Sequence, residues 1–225
     1  MNPIAKRTIT ALTIAAIIIC AILYAPVCVF PWVLGVFGVL AMVEYIQLLC
    51  LKRAEAGAVR LALLALAGAA LFAGAFGTLG WVALAKGNMW LLFTVAVVKI
   101  SDMGGFAFGL GSKKLFGDNH KLCPSISPGK SWEGLFGSIV GSCLVSFGFS
   151  CFTKFPWWLS LAIAFTAALV GTFGDLVESK FKRWIGVKDS STMSFTNGMG
   201  GILDMFDSLL FAPAAIWLLL HLLAS

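Results

Sequence analysis

Four aspartates lie at or inside apolar stretches of the chain, where a lipid-facing helix would not tolerate them: Asp102, Asp175, Asp204 and Asp207. A charged side chain at membrane depth costs about 3 kcal/mol or more unless it faces a polar cavity, a partner or a metal ion. Asp204 and Asp207 are three residues apart, which places both carboxylates on one face of a helix. We expect them to hold Mg²⁺ together with substrate phosphates, with Asp175 as a third carboxylate. The alternative is that they only complement a helix dipole.

A basic cluster follows Asp175 closely in the sequence. If the apolar helix continues, Asp175, Ser179 and Lys182 fall on one stripe at i, i+4 and i+7. Arg183 can make two parallel hydrogen bonds to a phosphate, and Lys188-Asp189 extends the cluster. The pattern predicts a phosphate site at the membrane surface. The alternative is a stop-transfer cluster that only anchors the helix end.

Two glycine-containing turns could also contact phosphate. The first ends at Gly200-Gly201, just before Asp204, and a helix that begins there would present free backbone N–H groups to an anion. The second contains Ser127 and Lys130 in the sequence Ser-Pro-Gly-Lys-Ser. It is not a P-loop, because Pro124 stands where the first glycine is required and no strand is predicted before it. We interpret it as a polar turn that contacts phosphate or marks a helix start.

Two further charged positions lie within apolar segments. Lys99 and Asp102 share a helix face, as a structural ion pair or as the lining of a polar cavity. Glu44 is a lone buried carboxylate that we expect to face the helical bundle. The sequence contains no G-x-S-x-G, H-E-x-x-H or nucleic-acid motif, so no nucleic-acid partner is expected.

The elements that must position these residues are membrane helices. Of the 225 residues, 60% are hydrophobic and 12% charged, with a mean hydropathy of +0.98, whereas soluble domains carry about 25% charged residues. Near-continuous apolar runs favour helices over a barrel, and the six cysteines, none in a C-x-x-C pair, fit small core residues. We predict an all-α polytopic bundle of about seven transmembrane helices, at roughly 8–25, 29–51, 59–77, 89–110, 133–153, 157–178 and 202–222.

The distribution of basic residues predicts the orientation of the bundle. With the N-terminus inside, 13 of the 16 basic residues fall on the cytoplasmic side; Lys86 and Lys154 fall outside and Lys99 within a span. This favours an odd number of spans, with 8–25 as a first transmembrane helix rather than a cleaved signal peptide. We divide the chain into N-terminal helices, 1–100, and a catalytic transmembrane region, 101–225, with cytoplasmic loops 111–132 and 179–201.

The motifs around the basic cluster resemble a known family, the phosphatidate cytidylyltransferases or CDP-diacylglycerol synthases. Its signature matches Ser179-Lys180-Phe181-Lys182-Arg183, then after four residues Lys188-Asp189-Ser190-Ser191, and then Gly200-Gly201-Ile202-Leu203-Asp204-Met205-Phe206-Asp207. Gly174 to Ser179, Ser127 to Gly134, and Asp102 with its following glycines are also similar to the family. Met199 replaces a usual histidine and Met205 a usual arginine, and the segment between Asp189 and Gly200 is two residues longer.

The resemblance implies that CTP and phosphatidic acid react to CDP-diacylglycerol and pyrophosphate in phospholipid biosynthesis. It implies Mg²⁺ as cofactor, with Mn²⁺ or an additional monovalent ion left open, and a bacterial inner membrane with the site on the cytoplasmic side. Membrane lipid is a partner, and a homodimer is left open. Catalytic roles are implied for Asp175, Asp204, Asp207, Lys182 and Arg183, and substrate contacts for Ser127, Lys130, Ser179, Lys188, Asp189, Gly200, Gly201 and Asp102.

Two other functions stay open from the residues alone. One is a CTP-dependent transferase or kinase that acts on another membrane lipid, of isoprenoid or archaeal type. The other is an ion-coupled transporter that uses the same buried carboxylates. A transporter predicts polar residues through both halves of the membrane, whereas here they gather on the inner side, with Glu44 as the main exception.

Overall fold

The fold is a bundle of long helices with one small β-hairpin. A computed structural model describes residues 18–53, 55–153, 156–187 and 201–224. Residues 18–24 are helical. The further elements are α1 (Val29–Leu51), α2 (Ala58–Lys86), α3 (Asn88–Phe116), β1 (Lys121–Cys123), β2 (Ser127–Ser131), α4 (Trp132–Thr153), α5 (Trp157–Ile185), α6 (Ile202–Phe206), a 3₁₀ turn (Ser208–Leu210) and α7 (Ala212–Ala224).

Among the described residues, five helices, α1 to α5, are long and apolar enough to cross a membrane. Large apolar side chains such as Trp32, Leu66 and Phe106 are exposed on them, as surfaces that face lipid require. The protein is therefore an integral membrane protein. The predicted span 29–51 is confirmed, and α2 continues to Lys86, so the partly apolar stretch after residue 77 extends the third predicted span.

The predicted count of seven spans is not confirmed. The predicted first span, 8–25, lies largely outside the described residues. The predicted last span, 202–222, is broken into α6, the 3₁₀ turn and α7. Pro213 explains the break, because it lacks an N–H and is tolerated only in the first turn of α7. With 13 residues, α7 is about 20 Å long, shorter than the hydrocarbon core of about 30 Å.

The helices confirm the predicted all-α class, whereas the stretch around Lys130, predicted as a polar turn, is one strand of the small hairpin. Strands β1 and β2 pair antiparallel, with Lys121 opposite Ser131 and Cys123 opposite Ser127. The loop predicted at 111–132 is also shorter, because α3 continues to Phe116 and ends at Gly117 in a left-handed conformation with φ 82°. The strand Ser-Pro-Gly-Lys-Ser has no apolar alternation, which is the signal by which strands are recognised in a sequence.

Helices α3 and α4 approach each other at their glycines. A Cβ at Gly141 would lie 2.7 Å from the carbonyl oxygen of Ile100, and one at Gly134 would lie 3.0 Å from that of Gly105. Small residues therefore let α3 and α4 pack closely within one chain. This packing fixes Asp102 of α3 relative to the hairpin that leads into α4.

Two buried apolar clusters place the last segment inside the bundle. One joins α3, α5 and α7, with Val97, Ile163 and Ile216 fully buried. The other joins α1 and α2 to α6, where Phe76 lies 5.2 Å from the ring of Phe206. The short helix α6 is thus held against α1 and α2, and its Asp204 lies next to Lys182 near the C-terminal end of α5.

Replacement of Gly104 tests the close approach of α3 and α4. A Cβ at Gly104 would overlap the carbonyl oxygen of Gly137, whereas one at Gly111, on the same helix, meets nothing. We expect Gly104→Ala to cost about 1–3 kcal/mol of stability, as overpacking does, seen as a lower thermal unfolding midpoint in detergent. Gly111→Ala is the matched control and should be neutral or slightly stabilising. Equal midpoints for the two variants would contradict this packing.

Candidate active site

A polar cavity of about 360 Å³ lies between α3, β2, α4 and α5. The charged residues that line it are Asp102, Lys130 and Asp175, and Ser127 lines it as well. Lys130 on β2 forms an ion pair with Asp175 on α5, and both side chains are mostly buried. The structure thus brings together four residues that the sequence predicted for the site, although they come from three separate elements.

A second contact brings Asp102 to the segment that follows α6. The Ser208 hydroxyl donates a hydrogen bond to Asp102 Oδ2 at 2.5 Å, and Lys99 Nζ lies 3.7 Å from the same oxygen. The predicted pair of Lys99 and Asp102 is therefore present, and Asp102 also lines the cavity. Helix α5 lies beside this carboxylate, since a Cβ at Gly171 would be in van der Waals contact with Asp102 Oδ1 at 3.9 Å.

Asp207 completes an acidic centre with Asp102 and Asp175. Its backbone carbonyl would lie 3.0 Å from a Cβ at Gly174, the residue before Asp175. Burial and then the negative charge of Asp175 raise the pKa of Asp207 to about 6. Carboxylates that repel each other in this way are stabilised by a cation between them.

Asp204 has a different set of partners from Asp207. Lys182 Nζ lies 2.8 Å from Asp204 Oδ1 and 3.0 Å from Glu178 Oε2, and the Gly201 N–H donates to Asp204 Oδ2 at 3.0 Å. Burial alone would raise the pKa of Asp204, but the bonds from Lys182 and Gly201 outweigh it and hold the pKa at about 2. Both oxygens of Asp204 are thus engaged within the protein.

The start of α6 was predicted to present free N–H groups to an anion. Carboxylates of the protein use two of them: Glu44 Oε2 accepts from the Leu203 N–H at 2.7 Å, and Asp204 accepts from the Gly201 N–H. Glu44 faces the bundle, as predicted, and is fully buried. Its contact with α6 was missed, because a lone acidic residue in an apolar span indicates burial but does not indicate which group it contacts.

The basic cluster is only partly described. Helix α5 continues to Ile185, so the predicted stripe of Asp175, Ser179 and Lys182 is helical, as is the start of the loop predicted at 179–201. Arg183 is exposed on this helix. The predicted site residues Lys188, Asp189 and Gly200 lie outside the described residues, as does Met199.

Glu178 is a site residue that sequence reasoning missed. It is buried and bonded to Lys182, while its Oε1 has no hydrogen-bond partner within the described residues. Its spacing could have identified it, because Glu178 lies three residues after Asp175 and four before Lys182, on the same side of the helix.

The acidic centre fits a divalent cation that is held largely by substrate. Within the described ranges, no three His, Cys, Asp or Glu side chains are gathered tightly enough to hold a metal ion alone. Asp175 Oδ1 is buried there without a hydrogen-bond partner. Mg²⁺ commonly takes only one or two carboxylates together with substrate phosphates, so Asp175 and Asp207 are suitable donors.

Comparison with known proteins agrees with this chemistry. A sequence profile described as the Cytidylyltransferase family matches residues 52–223. The chain belongs to this family. The matched region includes α2 to α7 and the hairpin, and hence every site residue described above except Glu44.

Several curated bacterial relatives carry the name phosphatidate cytidylyltransferase. Those of Staphylococcus epidermidis and Staphylococcus saprophyticus are each 42% identical over 137 residues, and that of Staphylococcus aureus (strain COL) is 39% identical over 137 residues. Each match covers 60% of this chain and 50% of the relative. The chain therefore spans about half the length of the relatives it matches.

Removal of the Lys182 charge tests the ion pairs beneath the site. Lys182→Met leaves the carboxylates of Glu178 and Asp204 without their cation, so we expect a loss of about 3 kcal/mol, typical of a broken buried pair. Unfolding in detergent measures it. Lys180→Met, at an exposed position on the same helix, is the matched control and should change little. A Lys182 variant as stable as this control would refute the pairing.

Proposed function

We propose that the protein transfers CMP from CTP to phosphatidic acid, giving CDP-diacylglycerol and pyrophosphate. The observation that carries the proposal is the buried meeting of Asp102, Asp175 and Lys130 in one polar cavity of a membrane protein. Family membership and the names of the relatives support a cytidylyl transfer to phosphatidate. A cavity with such a charged lining would not suit a purely structural bundle, because charges at membrane depth are costly.

The reaction proposed is a direct displacement at phosphorus. A phosphate oxygen of the lipid forms a bond to the α-phosphorus of CTP, the bond from that phosphorus to the β-phosphate oxygen breaks, and pyrophosphate leaves. Both reactants are polyanions, so catalysis consists mainly of positioning and charge neutralisation. A divalent cation, Mg²⁺ or Mn²⁺, would neutralise phosphate oxygens when bound. No side-chain nucleophile is required.

The cation would be held by Asp175 and Asp207, with Asp102 close by. Asp175 offers a buried oxygen without a hydrogen-bond partner in the described structure, and the charge of Asp175 already acts on Asp207. Asp204 was predicted as a ligand of the cation together with Asp207. Because both of its oxygens are engaged, we place it beside the cation, where it would become a ligand only by exchanging Lys182.

Phosphates would be bound by the basic residues around this centre. Lys130 and Ser127 line the cavity, and Lys182, paired with Asp204, retains a third N–H for a substrate oxygen. Exposed Arg183 would face the entering nucleotide at the membrane surface. The further substrate contacts that we propose are Ser179, Lys188, Asp189, Gly200 and Gly201.

The cavity would open towards the lipid as well as the cytoplasm. Phe106, which lines it beside Asp102, is largely exposed and provides an apolar border for acyl chains. CTP would enter from the cytoplasmic face of the membrane.

The identity of the lipid product tests the proposal. The purified protein is incubated with α-labelled CTP, phosphatidic acid and Mg²⁺, with EDTA as the metal control. We expect a labelled lipid that releases CMP on pyrophosphatase treatment. If no labelled lipid forms with phosphatidic acid but one forms with another phospholipid or isoprenoid acceptor, the proposed acceptor is wrong. If CTP is not consumed with any acceptor, the proposed reaction is wrong.

Substitution of Asp207 tests the acidic centre in the same assay. Asp207→Asn keeps the size of the side chain and removes its charge, so we expect loss of nearly all turnover because the cation loses a ligand. The helical spectrum in detergent should be unchanged. Asp118→Asn, at an exposed position after α3, is the matched control and should retain wild-type activity. Wild-type rates from the Asp207 variant would remove this residue from the site.

A further inference from the structure

The helix that carries Asp204 is too short to be stable by itself. Helix α6 has five residues, and isolated helices below about 12 residues are marginal in water. A helix of this length also leaves most of its end N–H and C=O groups without intrahelical partners. Its geometry must therefore be imposed by contacts from other elements, and so must the position of Asp207 at its end.

Glu44 of α1 contacts the first turn of α6. Its carboxylate is fully buried and accepts the Leu203 N–H at 2.7 Å, across a separation of 159 residues. The Leu203 N–H belongs to the first turn, where no carbonyl of the same helix can reach it. A carboxylate here also has the sign that favours a helix N-terminus. Glu44 lies outside the region, residues 52–223, that defines the family.

Lys99 of α3 contacts the other end of α6. Its Nζ donates to the Met205 carbonyl at 2.8 Å and to the Ser208 hydroxyl at 3.1 Å, on either side of Asp207. A cation at the final carbonyls complements the C-terminal end of a helix. Ser208 in turn donates to Asp102, so Lys99 ties the end of α6 to the acidic centre.

We propose that Glu44 and Lys99 are positioning residues that clamp α6 from its two ends and thereby set the place of Asp207 beside Asp175. Neither acts on the substrate directly. The carboxylate holds the start of the helix to α1, and the ammonium holds its end to α3. The consequence for catalysis rests on the proposed cytidylyl transfer, whereas the clamp itself does not.

Hydrogen exchange measured by mass spectrometry on the intact protein in detergent tests the clamp. In Glu44→Leu, amides of peptides covering residues 201–210 should exchange about tenfold faster or more, as expected for loss of a hydrogen bond to a charged group. Glu44→Gln keeps an oxygen acceptor and should restore most of the protection. Glu55→Gln, at an exposed residue paired with Lys52, is the matched control. Peptides of α3 and α4 report whether the bundle is intact.

Two outcomes would overturn the proposal. One is unchanged exchange at 201–210 in Glu44→Leu with α3 and α4 protected; the other is equal exchange in the Leu and Gln variants. If Glu44→Leu does not fold, Lys99→Met decides the question. Lys99→Met should then speed exchange at 205–210, and wild-type exchange there would refute the clamp.

Kinetics separate the clamp from the chemistry. We expect Glu44→Leu and Lys99→Met to raise the Mg²⁺ concentration required for half-maximal activity several-fold, with Glu44→Gln close to wild type. The KM for CTP should be little changed in all three variants, because the hairpin residues at the cavity are not moved. A change in the KM for CTP alone would contradict positioning through α6. If the wild-type protein transfers no CMP, the proposed function fails, and the exchange data still decide the clamp.

Discussion

Buried carboxylates inside an apolar bundle need positive partners, and this requirement determines how the hairpin and α6 lie against α5. Lys130 on the hairpin pairs with Asp175, and Lys182 bridges Glu178 and Asp204. The Lys130–Asp175 and Lys182–Asp204 pairs join different elements, so the same charges that must be neutralised also hold the hairpin and α6 to α5. The glycines of α3, α4 and α5 then let the backbones approach closely enough for these short contacts to form.

The proposed chemistry follows from the same charges. A cavity that is rich in paired acids and lysines can exchange some of these internal partners for a cation and for phosphates, at little cost of reorganisation. Asp175 has a buried oxygen without a partner among the described residues, while both oxygens of Asp204 are engaged. The two carboxylates thus differ in readiness to bind a cation, although the sequence places both near the same motif.

Much of this arrangement is readable from the sequence, because membrane burial makes charges conspicuous. Asp102, Asp175 and Lys130 were predicted for the site and do meet in one cavity. The spacing of Asp204 and Asp207 predicted a shared helix face, but α6 ends between them and their partners differ. The hairpin was missed because its strand lacks apolar alternation. The break in the last span was missed because Pro213 lies inside an otherwise apolar run. The contact of Glu44 with Leu203 was also missed, since hydrogen bonds across 159 residues leave no local pattern.

The central claim is that Asp175 and Asp207 together form a cation site that substrate phosphates complete. Its most direct measurement is the uptake of Mn²⁺ by the purified protein with CTP, followed by loss of the free Mn²⁺ signal in electron paramagnetic resonance. The account predicts uptake by the wild-type protein and by Asp118→Asn, and markedly weaker uptake by Asp175→Asn and by Asp207→Asn. Uptake that is the same in all four proteins would contradict it.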